Sequence, residues 1–262
     1  MAFGETIRIK TRREIEAMRE AGRHVAEILL ELREAARPGV TTGELDEQAR
    51  RALKRRGVES SFLGYAPYGL PAYPAVLCVS VNEEIVHGIP GPRELKEGDV
   101  LSLDFGASFE GYHGDSAVTI AIGAVSAEVQ RLIDVTNDSL ARAVGQMVPG
   151  KRLSDVGHAV QERVESDGFS VVRQFVGHGI GREMHEPPQI PNYGPGGRGP
   201  RLKPGMVFAI EPMVTAGGPE VRMLDDQWTA VTADGSLAAH FEHTILITDA
   251  GPEVLTRVPG SH

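Results

Sequence analysis

The chain repeats its own punctuation. Pro38-Gly39 recurs as Pro149-Gly150, and Gly57 recurs as Gly168, each 111 residues further on. Each copy brackets the same pattern: a long amphipathic stretch, a Pro-Gly stop, a second helical stretch and a closing glycine. In the first copy Ile15, Met18, Gly22, Val25, Ile28, Leu29 and Leu32 fall at helical spacing between charges, predicting a helix over Lys10 to Arg37. Pro38-Gly39 stops it. Thr41 and Glu44 then have the spacing of a capping box that opens a second helix. Ser126 to Val148 and Ser154 to Asp167 are the matching pair. The pattern runs on into strands: Leu95-Lys96-Glu97-Gly98-Asp99-Val100 resembles Leu202-Lys203-Pro204-Gly205-Met206-Val207, 107 residues later, and at that interval Asp104 falls on Glu211. Each half then ends an apolar strand with one carboxylate. The expected fold is α+β: two αα-ββ units whose strands meet around a shared centre, with helices packed outside. The pseudo-repeats span about 10–123 and 126–250. Neither holds all the chemistry-bearing residues, so 1–262 reads as one catalytic domain.

Composition narrows the function. A hydrophobic fraction of 41% allows a sizeable core. A net charge of −9 argues against nucleic acid and anionic membranes as partners. The positive charges between Lys10 and Arg37 and between Arg50 and Arg56 alternate with Glu, the pattern of solvated helix faces. The single cysteine, Cys78, excludes an internal disulfide, and within Ala75 to Val79 it reads as a small buried hydrophobe. Met1 to Glu20 is charged and lacks the apolar core of a signal peptide. No apolar run is long enough to span a bilayer, so the cytosol is the expected compartment.

The informative residues are acids inside strands. Val100 to Gly106 reads as a strand and Phe109 to Thr119 as a turn with its return. Asp is a poor strand former. In a hairpin centred near Phe109 and Glu110, Asp104 and Asp115 lie opposite or nearly so, about 5 Å apart at Cβ. Two bare carboxylates at that distance repel unless a proton or a cation lies between them. Asp115 after Gly114 also suits a turn residue. Glu211 ends the run Met206 to Ile210, and Glu242 sits within Ala239 to Ile247. Taken singly, each suits a strand edge or an ion pair. His178, between two glycines in a Gly- and Pro-rich segment that cannot be helical, completes a set of four carboxylates and one imidazole. Such a set suits a pair of Co, Mn, Fe(II) or Zn ions and metal-assisted hydrolysis. A further stretch, Tyr65 to Pro74, is an aromatic, Pro-rich loop that either covers a core edge or lines a pocket.

Five motifs, in order, resemble the methionine aminopeptidases of the bacterial type I class over nearly the whole chain. They are Ser80-Val81-Asn82-Glu83-Glu84-Ile85-Val86-His87-Gly88-Ile89-Pro90, Asp104 to Asp115, Phe175 to Tyr193, Lys203 to Met213, and Phe241-Glu242-His243-Thr244. The resemblance implies the pita-bread fold and a dinuclear site of Asp104, Asp115, His178, Glu211 and Glu242. In it Asp115 and Glu242 bridge, Asp104 serves one metal, and His178 and Glu211 serve the other. It makes Glu211 the proton shuttle, puts His87 at the scissile nitrogen and His185 at the developing oxyanion, and makes Tyr65, Tyr73, Cys78, Met184 and Trp228 the methionine pocket. Met184 stands where relatives often carry Phe. The Tyr65–Tyr73 loop is longer than the usual Gly-Tyr-x-Gly-Tyr-Pro, which leaves Tyr65, Tyr68 and Tyr73 as alternatives for the pocket. The implied activity is removal of the initiator methionine from nascent chains with small second residues, by a monomer with a transient ribosome contact. The rival readings are an X-Pro peptidase and a metal-free binding protein on the same fold.

Overall fold

The computed structural model describes residues 7–258, and of Tyr68 the backbone only. Helix α1 (Arg12–Ala35) starts at Thr11, whose hydroxyl accepts the Glu14 N–H while the Glu14 carboxylate accepts the Thr11 N–H. The helix therefore begins after Lys10. Lys10 is buried rather than part of a solvated face, which corrects the reading of the first basic run. α2 (Thr42–Arg56) has the Thr41/Glu44 capping box and closes on Gly57 at φ 66°. α3 (Ala127–Gly145) is capped by the Ser126 hydroxyl, and α4 (Leu153–Ser166) is followed by Gly168 at φ 81°.

The repeat is visible in individual hydrogen bonds. Gly39 N–H donates to Leu95 O at 2.9 Å, and Gly150 N–H donates to Leu202 O at 3.0 Å. Leu95 N–H donates to Val40 O, and Leu202 N–H to Lys151 O. The isolated bridges Thr41↔Glu94 and Arg152↔Arg201 complete the correspondence. Gly98 and Gly205, at φ 91° and 86°, make the two turns that launch the central strands.

Those strands belong to one nine-stranded sheet. Its functional members are β1 (Cys78–Val81), β2 (Val100–Phe109), β3 (Tyr112–Ala121), β4 (Gly177–Gly179), β5 (Glu186–Ile190), β6 (Val207–Ile210) and β7 (Glu242–Thr248). The central order is β2-β3-β7-β6-β4-β5, with β1 also paired to β2. The two halves thus join where β3 pairs with β7. Strand alternation divides the residues by face. Leu101, Leu103, Phe105 and Ala107 pack with α1 and α2 residues such as Ile28 and Leu45. Phe208, Ile210, Ile245 and Ile247 pack with Leu132, Val156 and Val160 of α3 and α4. The helices cover one face and leave the other for the site. Helix α1 also meets the segment after β7: Arg19 forms a two-pronged ion pair with Glu253, and a Cβ at Gly22 would come within 2.5 Å of Leu255 O.

Candidate active site

The strand register gathers the acids in two adjacent rows. One row runs Cys78↔Asp104↔Ala117↔Glu242 across β1, β2, β3 and β7. The other runs from Gly106↔Asp115 to Thr244↔Ala209↔His178. Thr244 joins its two parts, with its hydroxyl accepting Asp115 N–H and donating to Asp115 O. Cross-strand partners share a face, so all these side chains point away from the helices. Acids alternate with small residues: Ala117 lies between Asp104 and Glu242, and Gly106 and Ala209 fill the second row. The hairpin turn is Glu110-Gly111, one step beyond the expected centre. Asp104 and Asp115 are therefore diagonal neighbours rather than direct partners. Asp104 is also mid-strand, whereas Glu211 follows the end of β6 because Pro212 cannot extend it. The expected strand Ala239 to Ile247 is likewise broken at Phe241, leaving Glu242 as the first residue of β7.

These groups lack internal compensation. Burial raises Asp104, Glu211 and Glu242 well above the usual carboxylate range, and the charge of the neighbouring acids adds to it. Burial also pushes Asp115 up to about 7, against hydrogen bonding from the Ser116 N–H and interaction with Asp104 and Glu242. Asp104 Oδ1, Asp115 Oδ1 and Glu242 Oε1 are buried with no hydrogen-bond partner. His178 donates from Nδ1 to Gly179 O at 2.8 Å, so Nε2 carries the lone pair. Burial first, and then His185, holds its pKa down to about 3. Nε2 lies 3.5 Å from Glu211 Oε1 and 4.0 Å from Asp115 Oδ2. One donor atom each of Asp115, His178 and Glu242 fall within 4.8 Å of one another. Asp104 and Glu211 stand outside that triad but act electrostatically on it. Orphaned carboxylate oxygens facing a neutral imidazole lone pair fit a divalent cation, which would remove both the repulsion and the desolvation cost.

Above this floor opens a cavity of about 270 Å³ with apolar walls that include Phe62, Tyr65, Tyr73, Cys78, Met184 and Trp228. Tyr65 and Tyr73 face each other through their backbones: Tyr73 N–H donates to Tyr65 O at 2.8 Å, and Gly64 N–H donates to Tyr73 O at 2.9 Å. Residues 66–72 loop between these two contacts, and Pro67 and Leu70 join both tyrosines in lining the cavity. The Tyr68 side chain lies outside the described residues. Tyr73 Oη donates to Gly88 O at 2.9 Å and Leu77 O at 3.2 Å, and Trp228 Nε1 donates to Pro71 O at 3.0 Å. Burial raises the Cys78 thiol pKa, which keeps it an unreactive wall.

The two remaining histidines border floor and wall. His87 has φ 61°, a strained backbone for a non-glycine residue, and its ring meets Phe175 and Trp228 edge-on at 5.3 and 5.9 Å. Burial holds its pKa down to about 4. The ring of His185 lies 4.1 Å from that of His178, and its Nδ1 is 2.6 Å from Tyr65 Oη. The loop behind it is locked by a buried ion pair between Lys10 Nζ and Glu186 Oε2 at 2.5 Å, while Glu186 Oε1 accepts the Arg182 N–H. Phe62, Phe175, Lys10 and Glu186 lie outside the expected set of site residues. Phe175 was legible only as the apolar residue that opens the His178 segment. Lys10 and Glu186 are 176 positions apart and give no local signal.

Comparison with known proteins agrees with this geometry. The sequence model of metallopeptidase family M24 matches residues 16–249. Methionine aminopeptidase 1 of Bacillus subtilis (strain 168) is 54% identical over 249 residues, covering 95% of this chain and 98% of its own. The crystal structure of a methionine aminopeptidase from Thermotoga maritima superposes with a TM-score of 0.93 at 49% identity, covering 96% of this chain and all of that one. A prolidase from Pyrococcus furiosus, 23% identical with a TM-score of 0.77, covers 95% of this chain and 65% of its own and shares the pita-bread fold. Its sequence and fold make this chain a member of metallopeptidase family M24, in the bacterial type I class of methionine aminopeptidases.

Proposed function

We propose that the chain removes the initiator methionine from nascent proteins by peptide hydrolysis assisted by two divalent metals, with a preference for small second residues. The observation that carries this reading is the cluster of Asp115, Glu242 and His178 donor atoms, with orphaned oxygens on Asp104, Asp115 and Glu242, at the end of an apolar cavity. Asp104, Asp115, His178, Glu211 and Glu242 would hold the metals. Bound there, a pair of dications supplies Lewis acidity and brings a water's pKa toward neutrality.

The remaining work falls to the chain's own groups. The cavity walls take the thioether side chain, and Met184 and Cys78 are soft partners for it. His87 meets the scissile nitrogen. His185 donates to the carbonyl oxygen as it becomes an oxyanion. Glu211 takes a proton from the attacking water and returns it to the leaving nitrogen. The size preference rests on the crowding of Phe175 and Trp228 around His87. The unit is one catalytic domain, a monomer that acts in the cytosol with at most a transient ribosome contact and needs neither nucleic acid nor membrane. No helix among the described residues is long and apolar enough to cross a membrane.

The test is turnover of Met-Ala-Ser against an X-Pro peptide after reloading with Co, Mn, Fe(II) or Zn, alongside metal analysis. Cleavage of Met-Ala-Ser with stoichiometric metal is expected. Cleavage of the X-Pro peptide alone would favour the prolidase reading. No retained metal and no turnover would favour a binding protein.

A further inference from the structure

His178 and His185 stand ring to ring, yet their second nitrogens meet different kinds of partner: one can only accept, the other can also donate. His178 Nδ1 faces a backbone carbonyl, Gly179 O, which can only accept. His185 Nδ1 faces a phenol, Tyr65 Oη, at 2.6 Å, which can donate. The two rings are stacked, with centroids 5.2 Å apart and planes 25° apart, so the hydroxyl and the imidazole are held in one geometry. A neutral imidazole has one donor nitrogen and one acceptor nitrogen, and the partner of the first decides the second.

We propose that Tyr65 is a positioning residue for His185: its hydroxyl donates to Nδ1 and fixes the Nε2–H tautomer, leaving Nε2–H as the hydrogen-bond donor toward the substrate. Neighbouring rings then carry opposite tautomers, one offering a lone pair to a cation and the other a proton to an oxyanion. The inference rests on the oxyanion role proposed for His185. It gives the phenol a task apart from lining the cavity. The loop of residues 66–72 is consistent with it, because its length leaves the Tyr65 and Tyr73 backbones paired.

Two measurements on the zinc-loaded protein decide it. Nitrogen-15 NMR of the imidazoles reads the tautomer directly. The wild type should show His185 protonated at Nε2, and Tyr65→Phe should shift it to a mixture. A wild-type His185 protonated at Nδ1, or a tautomer unchanged in Tyr65→Phe, overturns the proposal. Steady-state kinetics on Met-Ala-Ser give the second readout. Loss of one hydrogen bond should lower kcat of Tyr65→Phe about tenfold with KM within about twofold. A raised KM with unchanged kcat would make Tyr65 a wall only and overturn the proposal. On a His185→Ala background the Tyr65→Phe change should have no further effect on kcat, and a full tenfold loss there also overturns it. If His185→Ala alone keeps wild-type turnover, the oxyanion role and the catalytic part of this proposal fall together, while the NMR result still decides the tautomer.

Discussion

The floor and the wall of the cavity treat polar atoms in opposite ways. On the wall the aromatic polar tips of Tyr73, Trp228 and Tyr65 are matched: Tyr73 Oη reaches Gly88 O, Trp228 Nε1 reaches Pro71 O, and Tyr65 Oη reaches His185. On the floor, Asp104, Asp115 and Glu242 each keep a buried oxygen with no partner. A fold that satisfies its wall so fully leaves its floor unsatisfied because the missing partner comes from outside the chain. The wall is built to be rigid without help, and the floor to be incomplete without a cation.

Breaking the floor should do the most. His178→Ala is expected to reduce turnover of Met-Ala-Ser to background and to lose bound metal, as measured by metal analysis after reloading. Near wild-type activity would refute the dinuclear reading. The next effect is on the stability of the metal-free protein. The four acids have raised pKa values in the fold, so their protonated forms favour it, and their contribution is lost as pH rises through those values. The histidines have lowered pKa values, so their contribution is present above about pH 6.5 and lost below it. Between pH 6.5 and 8 the histidine contribution levels off, while the acids, joined by the Cys78 thiol, still hold more protons in the folded state. Thermal melts of metal-free protein should therefore fall from pH 6.5 to 8, while metal-loaded protein stays level. A level metal-free curve would show that the floor is compensated in some other way.

At the border between floor and wall, His185→Ala should keep its metal and lose about 10²–10³-fold in kcat, the usual effect of removing one oxyanion donor. Metal loss in that variant would move His185 onto the floor. The wall should respond least. Trp228→Phe gives up the bond to Pro71 O and should destabilise by about 1 kcal/mol in denaturant melts. It should raise KM more than it lowers kcat. A collapse of metal binding instead would erase the distinction between the two regions.

Much of the floor was legible in the sequence because its determinants are local and periodic. Breakers at a fixed interval placed four helices, and acids in apolar runs marked the strands that meet at the centre. What could not be read depends on pairings the sequence does not encode locally. The hairpin register differs by one step because Glu110-Gly111 takes up the turn, with φ 50° and 76°. The fate of the long loop depended on a contact between Tyr65 and Tyr73 backbones. Lys10 looked like any surface lysine until Glu186 supplied its counter-charge, and breaking so buried a pair typically costs about 3–5 kcal/mol.

The closure of the first helix against the segment at Glu253 to Leu255 has a consequence for biosynthesis. Arg19 waits for Glu253, and Gly22 for Leu255. Lys10 waits for Glu186, and the ligand set waits for Glu242. During translation the amino-terminal half emerges long before these partners exist, and contacts so distant in sequence slow the search for the native state. The site is therefore complete only once the segment that carries Glu242 and Glu253 has left the ribosome.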